Sequence, residues 1–301
     1  MSWRTIYIKE SERLCLYLDN LMIIKNGEEY KIPLKDIGSI ILEDNRTSIT
    51  VKLMNKIIEY NILLIFCDDK YNPKTMLYPI GDYFRQAKIV EEQINWDKNL
   101  KKILWQKIVR AKLENQKEIL KKLNKKREVI FLLEKYQSEI KEDDIENREG
   151  LGAKIYFREL FGENFIRGKN DIINSALNYG YTIFNSKISR ILASKGLLPY
   201  LGIHHKNEYN HFNLASDIVE VYRPIVDYYI YVNMKNSKYF SREDRIELIN
   251  LLNAKIEYNF YMENVYNTME KYIDSIIKFF KTEKLEVEKI PNLKRIKFYE
   301  L

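Results

Sequence analysis

The sequence predicts an α+β fold: a small β-rich N-terminal domain over residues 1–80, followed by a larger all-α domain over residues 83–301. Three observations predict it. The first 80 residues break into short runs rich in Ile, Leu and Tyr, separated by turn-forming residues. From about residue 83 the apolar residues recur with a helical period and go on doing so. The chain of 301 residues holds only 10 Gly and 6 Pro, too little punctuation for a sandwich of many short strands.

Taken in order, Thr5–Ile8, Leu14–Leu18, Leu21–Ile24, Glu29–Ile32 and Ser39–Leu42 read as strands. Asn26-Gly27 lies between two of them and predicts a type I′ hairpin, since both residues tolerate positive φ. Ile49, Leu53 and Ile57 stand four apart and predict one helix packed on the sheet. Ile62–Phe66 returns to a buried strand, and residues 68–73 read as a loop. Beyond it, Leu100, Ile103, Leu104, Ile108, Ala111, Ile119 and Leu123 form one stripe of a long helix. Ser241-Arg-Glu-Asp244 is a capping-box signature before another helix. Met262, Val265, Met269, Ile273, Ile276 and Phe280 form a further stripe. The segment from Lys281 to Leu301 reads equally as an ordered extension or a tail.

Composition narrows the class. Hydrophobic residues are 46% of the chain and charged residues 31%, enough apolar mass for a real core and against global disorder. Cys15 and Cys67 are too few for a disulfide framework or a cysteine zinc site, and they fit a reducing compartment. The longest apolar runs fall far short of the ~20 residues that cross a bilayer, and no signal-peptide core is present. A soluble, cytoplasmic protein without a membrane partner is expected.

The formal charge is +7 and the pI about 9, which suggests a polyanionic partner. The charge is uneven. Residues 97–128 hold 12 Lys or Arg against 4 Asp or Glu, more excess charge than the whole chain carries. This run reads either as a solvated helix face or as a phosphate-tracking surface, with Lys101, Lys102 and Arg110 as candidate DNA contacts beside Arg148 and Lys206.

The three histidines, His204, His205 and His211, all fall within eight residues. Asp217 and Glu220 follow at i, i+3, on one face of a helix expected to run from about Leu214 until Pro224 ends or kinks it. A loop histidine with two carboxylates is a half-site for a hard divalent cation, although paired acids at this spacing are also common on solvated helices. The acidic stretch Glu139–Glu149 reads mostly as a helix N-terminus. Glu149 opens a compact run with Gly150, Gly152 and Ala153, small residues that allow close approach of another backbone or a substrate.

Several segments carry a resemblance. They are Trp3-Arg4-Thr5-Ile6, Ile65-Phe66-Cys67-Asp68-Asp69-Lys70, Asn147-Arg148-Glu149-Gly150 with Tyr156-Phe157 and Leu160-Phe161-Gly162, and Leu177-Asn178-Tyr179-Gly180-Tyr181. They continue with Gly202-x-x-His205 and with Phe212–Glu220 followed by Arg223-Pro224. In this order and at these separations the sequence resembles the CRISPR-associated spacer-acquisition integrase, the Cas-one adaptation subunit, most like its type II branch. The resemblance implies a metal-dependent DNA integrase and endonuclease of antiviral defence, which joins prespacer 3′-OH ends to a repeat array by transesterification. It implies that Glu149, His205 and Glu220 are the catalytic metal ligands for Mg²⁺ or Mn²⁺, with Asp217 as a possible accessory. Many branches carry Asp where Glu220 stands. It implies a homodimer, two dimers flanking a smaller adaptation subunit, and double-stranded DNA held across them.

Other classes remain open at this level. A stand-alone metal-dependent nuclease on branched DNA would cleave without joining. A non-catalytic DNA-binding scaffold would bind in a salt-sensitive way and ignore chelators. A tyrosine recombinase needs an Arg–His–Arg–Tyr constellation, of which the sequence offers no convincing arrangement.

Overall fold

The computed structural model describes residues 4–77, 85–286 and 289–298. Its backbone resolves into two compact units, Met1–Ala87 with Ala193–Leu197, and Lys88–Leu192 with Leu198–Leu301. The domain boundary expected between residues 80 and 83 lies outside the described residues, as does Trp3.

The first unit contains β1 (Arg4–Ile8), β2 (Arg13–Tyr17), β3 (Asn20–Lys25), β4 (Glu28–Pro33), β5 (Ile37–Leu42), β6 (Ser48–Ile49), α1 (Val51–Glu59), β7 (Leu63–Cys67) and β8 (Pro73–Met76). One sheet has the order β1-β5-β7-β8, with β1, β5 and β7 parallel and β8 antiparallel. The other has the order β4-β3-β2-β6. Strand β5 is buried at every residue, which explains why Ile37–Leu42 lacks polar alternation: a strand with parallel neighbours on both sides and both faces covered reads as an apolar run. Asn26 and Gly27 turn β3 into β4 with φ of 51° and 76°, the positive values that dipeptide was expected to supply. Thr50 caps α1, its hydroxyl accepting from the Leu53 amide at 3.4 Å, and Leu53 and Ile57 enter the core beside Leu14, Leu21, Ile40 and Leu64. Strand β8 was not legible as one: its Pro73 fits only the first residue of an edge strand, and Lys74 and Thr75 are exposed. Cys15 and Cys67 are both buried and free.

The second unit is mostly helical. It contains α2 (Gln86–Ile94), α3 (Lys98–Lys122), α4 (Arg127–Glu139), α5 (Arg148–Phe161), α6 (Ile172–Ser194), α7 (Asn213–Val219), α8 (Arg223–Met234), α9 (Arg242–Asn250) and α10 (Val265–Thr282). It is not wholly α. Strands β9 (Lys255–Tyr258), β10 (Tyr261–Asn264) and β11 (Asn292–Lys297) form a three-stranded sheet in the order β10-β9-β11. Met262, read as part of a helical stripe, lies in β10, and the helix starts at Val265. The hairpin was hidden because Asn259 and Phe260 make its turn at φ of 50° and 67° without a glycine to mark it. The expected capping box is present: the Asp244 amide donates to Ser241 Oγ at 3.0 Å and the Ser241 amide to Asp244 Oδ2 at 2.8 Å.

Helix α3 is the spine of this unit and packs against α4, α5, α7, α8 and β11. Asn115, 1% exposed, pins the C-terminal segment: its Nδ2 donates to the carbonyls of Val221 at 2.8 Å and Pro291 at 3.1 Å, and its Oδ1 accepts from the Leu293 amide at 3.1 Å. In the described part of the C-terminal segment, Lys281 and Thr282 end α10 and Asn292–Lys297 form strand β11. The smallness of Gly152 serves this packing, because a Cβ there would stand 2.4 Å from Leu113 Cδ2 on α3. No helix among the described residues is long and apolar enough to cross a membrane.

Gly152→Val is expected to force α5 away from α3 and to cost about 1–3 kcal/mol. A thermal melt of the full chain checks it, and an unchanged midpoint would refute the close approach.

Candidate functional site

Glu149 is presented by the start of α5. A single 3₁₀ turn, Glu142–Asp144, leads into it, and Asn147 in the left-handed region is its N-cap, accepting from the Gly150 amide at 3.1 Å. Asp144 completes the cap by accepting from the amides of Arg148 and Glu149 at 2.8 and 2.9 Å. The acidic stretch thus divides: Asp144 serves the helix terminus, and Glu149 is turned inward.

His205 is presented by a loop folded around Asp217. Asp217, wholly buried, emerges from α7 and accepts at Oδ2 from the Ile203 and His204 amides at 2.6 and 3.0 Å. Its Oδ1 accepts from the His205 amide at 3.1 Å and faces the ring Nδ1 at 2.6 Å. Both carboxylate oxygens are therefore occupied in shaping the loop and aiming the imidazole, whose Nε2 is left for a ligand. That hydrogen bond is the main reason the His205 pKa is raised, against the opposing effect of burial. Gly202 explains the Gly-x-x-His spacing: a Cβ there would meet the His205 carbonyl at 2.3 Å and Asp217 Oδ2 at 3.0 Å. Trp105 backs the loop from α3, stacked on His204 at 4.3 Å between centroids and edge-on to His205 at 5.6 Å. His204 Nδ1 lies 3.1 Å from Asp143 Oδ1, and His211 lines a cavity next to His205.

Glu220 follows α7 directly. The helix expected to reach Pro224 stops at Val219, and a short turn leads to α8, where Pro224 lies in the first turn and begins a helix rather than ending one. Glu220 is 3% exposed, with Oε1 paired to Arg223 Nη1 at 3.1 Å. Its Oε2 lies 2.5 Å from Lys112 Nζ yet accepts no well-directed hydrogen bond. The same ammonium pairs with Glu149 Oε1. Attraction to Lys112 is the largest influence on Glu149 and holds its pKa below the ordinary range, outweighing burial. Burial acts to lower the Lys112 pKa, and Glu220 with Glu149 overcomes it and raises it.

Three segments far apart in the chain thus deliver two carboxylates and one imidazole to the region of a single ammonium. His205 lies within electrostatic reach of both Glu149 and Glu220. Among the described residues no three His, Cys, Asp or Glu side chains are closed into a ready coordination shell. The donor set nevertheless suits a hard divalent cation: two carboxylates already facing one positive charge, a buried Glu220 oxygen without a hydrogen bond, and a free imidazole nitrogen.

Two residues of the site, Lys112 and Trp105, were not singled out from sequence. Lys112 was counted with the surface charge of residues 97–128, but it is 3% exposed, and Lys117 in the same run is also buried. The available signal was phase: Trp105, Ile108, Lys112 and Asn115 fall on one face of α3 with helical spacing. The candidate DNA contacts separate. Lys101 and Lys206 line a cavity of about 620 Å³ with Tyr200, Asn210 and His211, open beside His205. Lys102 is exposed. Arg110 is exposed and donates to the Ile140 carbonyl at 3.3 Å. Arg148 is tied to Glu146 at 2.7 Å and Glu139 at 3.0 Å.

Comparison with known proteins places the chain in a family. Residues 6–250 match the family described as CRISPR associated protein Cas1. The CRISPR-associated endonuclease Cas1 of Neisseria meningitidis serogroup C (strain 8013) is 40% identical over 231 residues, covering 75% of this chain and 74% of that protein. A casposase bound to integration product superposes with a TM-score of 0.76 at 20% identity, covering 96% of this chain and 94% of that one. A chain of a partial Cas6-RT-Cas1–Cas2 complex superposes with a TM-score of 0.64 at 20% identity, covering 99% of this chain and 100% of that one. With its matched segment running through Glu149, His205 and Glu220, the chain belongs to the CRISPR-associated Cas1 family, whose members include endonucleases.

Proposed function

We propose that the protein is a metal-dependent DNA integrase of CRISPR adaptation, joining prespacer 3′-OH ends to a repeat array by transesterification, with endonuclease activity at the same site. The observation that carries this reading is the convergence of Glu149 and Glu220 on one cation position, with His205 aimed by Asp217 beside it. Glu149, Glu220 and His205 through Nε2 are the residues that would hold Mg²⁺ or Mn²⁺. Bound there, the ion would lower the pKa of an attacking hydroxyl and offset charge on the attacked phosphate.

The remaining roles fall to the chain itself. Asp217 keeps Nδ1 engaged, so the imidazole presents one nitrogen in one orientation. Arg223 holds Glu220 by one oxygen and leaves the other turned to the site. The cavity beside His205, with Lys101 and Lys206 in its wall, receives the phosphates of a strand leading to the reacting bond. An attacking 3′-hydroxyl gives joining, and water in its place gives cleavage. A likeness to a casposase bound to integration product and the endonuclease names of relatives support both outcomes. A likeness to a chain of a complex that includes Cas2 supports a second adaptation subunit as partner. The further assembly of this reading, two homodimers of this chain on double-stranded DNA in a prokaryotic cytoplasm, is what the family resemblance implies.

Strand transfer of a short duplex with 3′-OH ends into a repeat-containing plasmid tests the reading. Activity is expected with Mn²⁺ and none with EDTA, and Glu149→Ala, His205→Ala and Glu220→Ala are expected to lose at least about 10²-fold. Milder losses are expected for His204→Ala and His211→Ala, and folded variants of the three ligands that integrate like wild type would refute the proposal. The raised His205 pKa sets a pH limit, because only the neutral imidazole can ligate. Activity is therefore expected to fall on acidification at a pH above the ordinary imidazole value of about 6.5. In Asp217→Asn that limb is expected to move to lower pH while the plateau rate drops, as read from a pH–rate profile.

A further inference from the structure

Two carboxylates brought together in a buried place repel each other and are costly to desolvate unless a positive charge stands between them. In this protein that charge is Lys112, whose ammonium touches Glu149 and Glu220 from a helix contributing no ligand of its own. We propose that Lys112 is the resident counter-ion of the acidic pair, a positioning residue that keeps Glu149 and Glu220 facing each other in the metal-free protein and yields its place to a divalent cation. The inference rests on the metal reading of that pair.

Three features support it. The first is charge balance. Lys112 and Arg223 offset Glu149 and Glu220, so the four groups sum to zero. With the buried Asp217 carboxylate beside His205 counted as well, a divalent ion added with Lys112 in place would leave the site at +1, whereas displacing Lys112 leaves it neutral. The second is the character of the contact. Lys112 holds Glu220 Oε2 by an ion pair at 2.5 Å while Arg223 pairs with Oε1, so a cation taking the place of Lys112 meets an oxygen the arginine does not hold. The third is the side chain. Lysine is a point charge on a flexible four-carbon stem and can withdraw, while an arginine fork would bridge two carboxylates rigidly. Lys112 is thereby a competitor for the metal as well as the device that assembles its ligands.

Binding of Mn²⁺ to the full chain, read at pH 8 by the electron paramagnetic resonance signal of free Mn²⁺, tests the proposal apart from activity. Because removing a competing positive charge favours the cation, Lys112→Met is expected to bind Mn²⁺ about ten-fold more tightly than wild type, and Lys112→Arg, whose fork holds both carboxylates, about ten-fold more weakly. In melts without metal Lys112→Met is expected to unfold below wild type, and saturating Mn²⁺ is expected to close most of the gap. An ordinary structural ion pair would leave the gap unchanged by Mn²⁺. Equal or weaker binding by Lys112→Met overturns the proposal while leaving the metal reading intact. Absence of Mn²⁺ binding by wild type overturns both. Should Lys112→Met not fold, Lys112→Arg decides alone, and wild-type affinity in it overturns the displacement.

Discussion

The arrangement of the helical unit depends on one electrostatic constraint: two acids that repel each other, Glu220 buried and Glu149 partly so, must be held side by side. Glu149 comes from the first turn of α5 and Glu220 from the turn between α7 and α8, and neither segment alone would bring them together. Helix α3 does so by carrying a buried ammonium to both. Arg223 adds the second positive charge at Glu220 Oε1 and lies over the Tyr181 ring at 4.9 Å. Behind it, Asp227 makes a hydrogen bond with Tyr181, and burial pushes its pKa up to about 7. The cluster has the logic of a buried network in which every charge has a partner, the condition under which such networks are tolerated.

A second constraint acts on backbone. The carboxylate of Asp217 takes three amide hydrogens from residues 203–205 and also faces the imidazole. Loop shape and ring orientation are therefore set by one side chain, and neither can change alone. The loop passes so close to itself at Gly202 that no larger residue fits without moving the His205 carbonyl. Trp105 closes the other side through its stack with His204. Histidine orientation is thus enforced by a buried acid, a missing Cβ and an aromatic wall, of which only the acid carries a charge a sequence reader would notice.

The β-rich start and helix-rich remainder were legible because short apolar runs set off by turn residues differ plainly from a sustained 3.6-residue period. Asn26-Gly27 and the Ser241–Asp244 box were legible because local hydrogen-bonding chemistry acts within a few residues. The edge strand β8 and the β9–β10 hairpin were not, since a proline-led strand and a turn without glycine carry weak local signals. The grouping of three histidines before two acids was visible from spacing, and Glu149 was singled out through the resemblance.

The sequence by itself determined the two-part organisation, the helical character of α3 and α10, and the supply of hard ligands, because those follow from residue type and short-range periodicity. Only the tertiary structure decided which charges face water and which face each other. Lys102 and Lys112 are ten positions apart on one helix and alike in composition, yet one is exposed and the other stands between two acids. The physical reason is that burial is a property of neighbours brought from elsewhere in the chain, here α5 and α7, and no local pattern around a lysine encodes them.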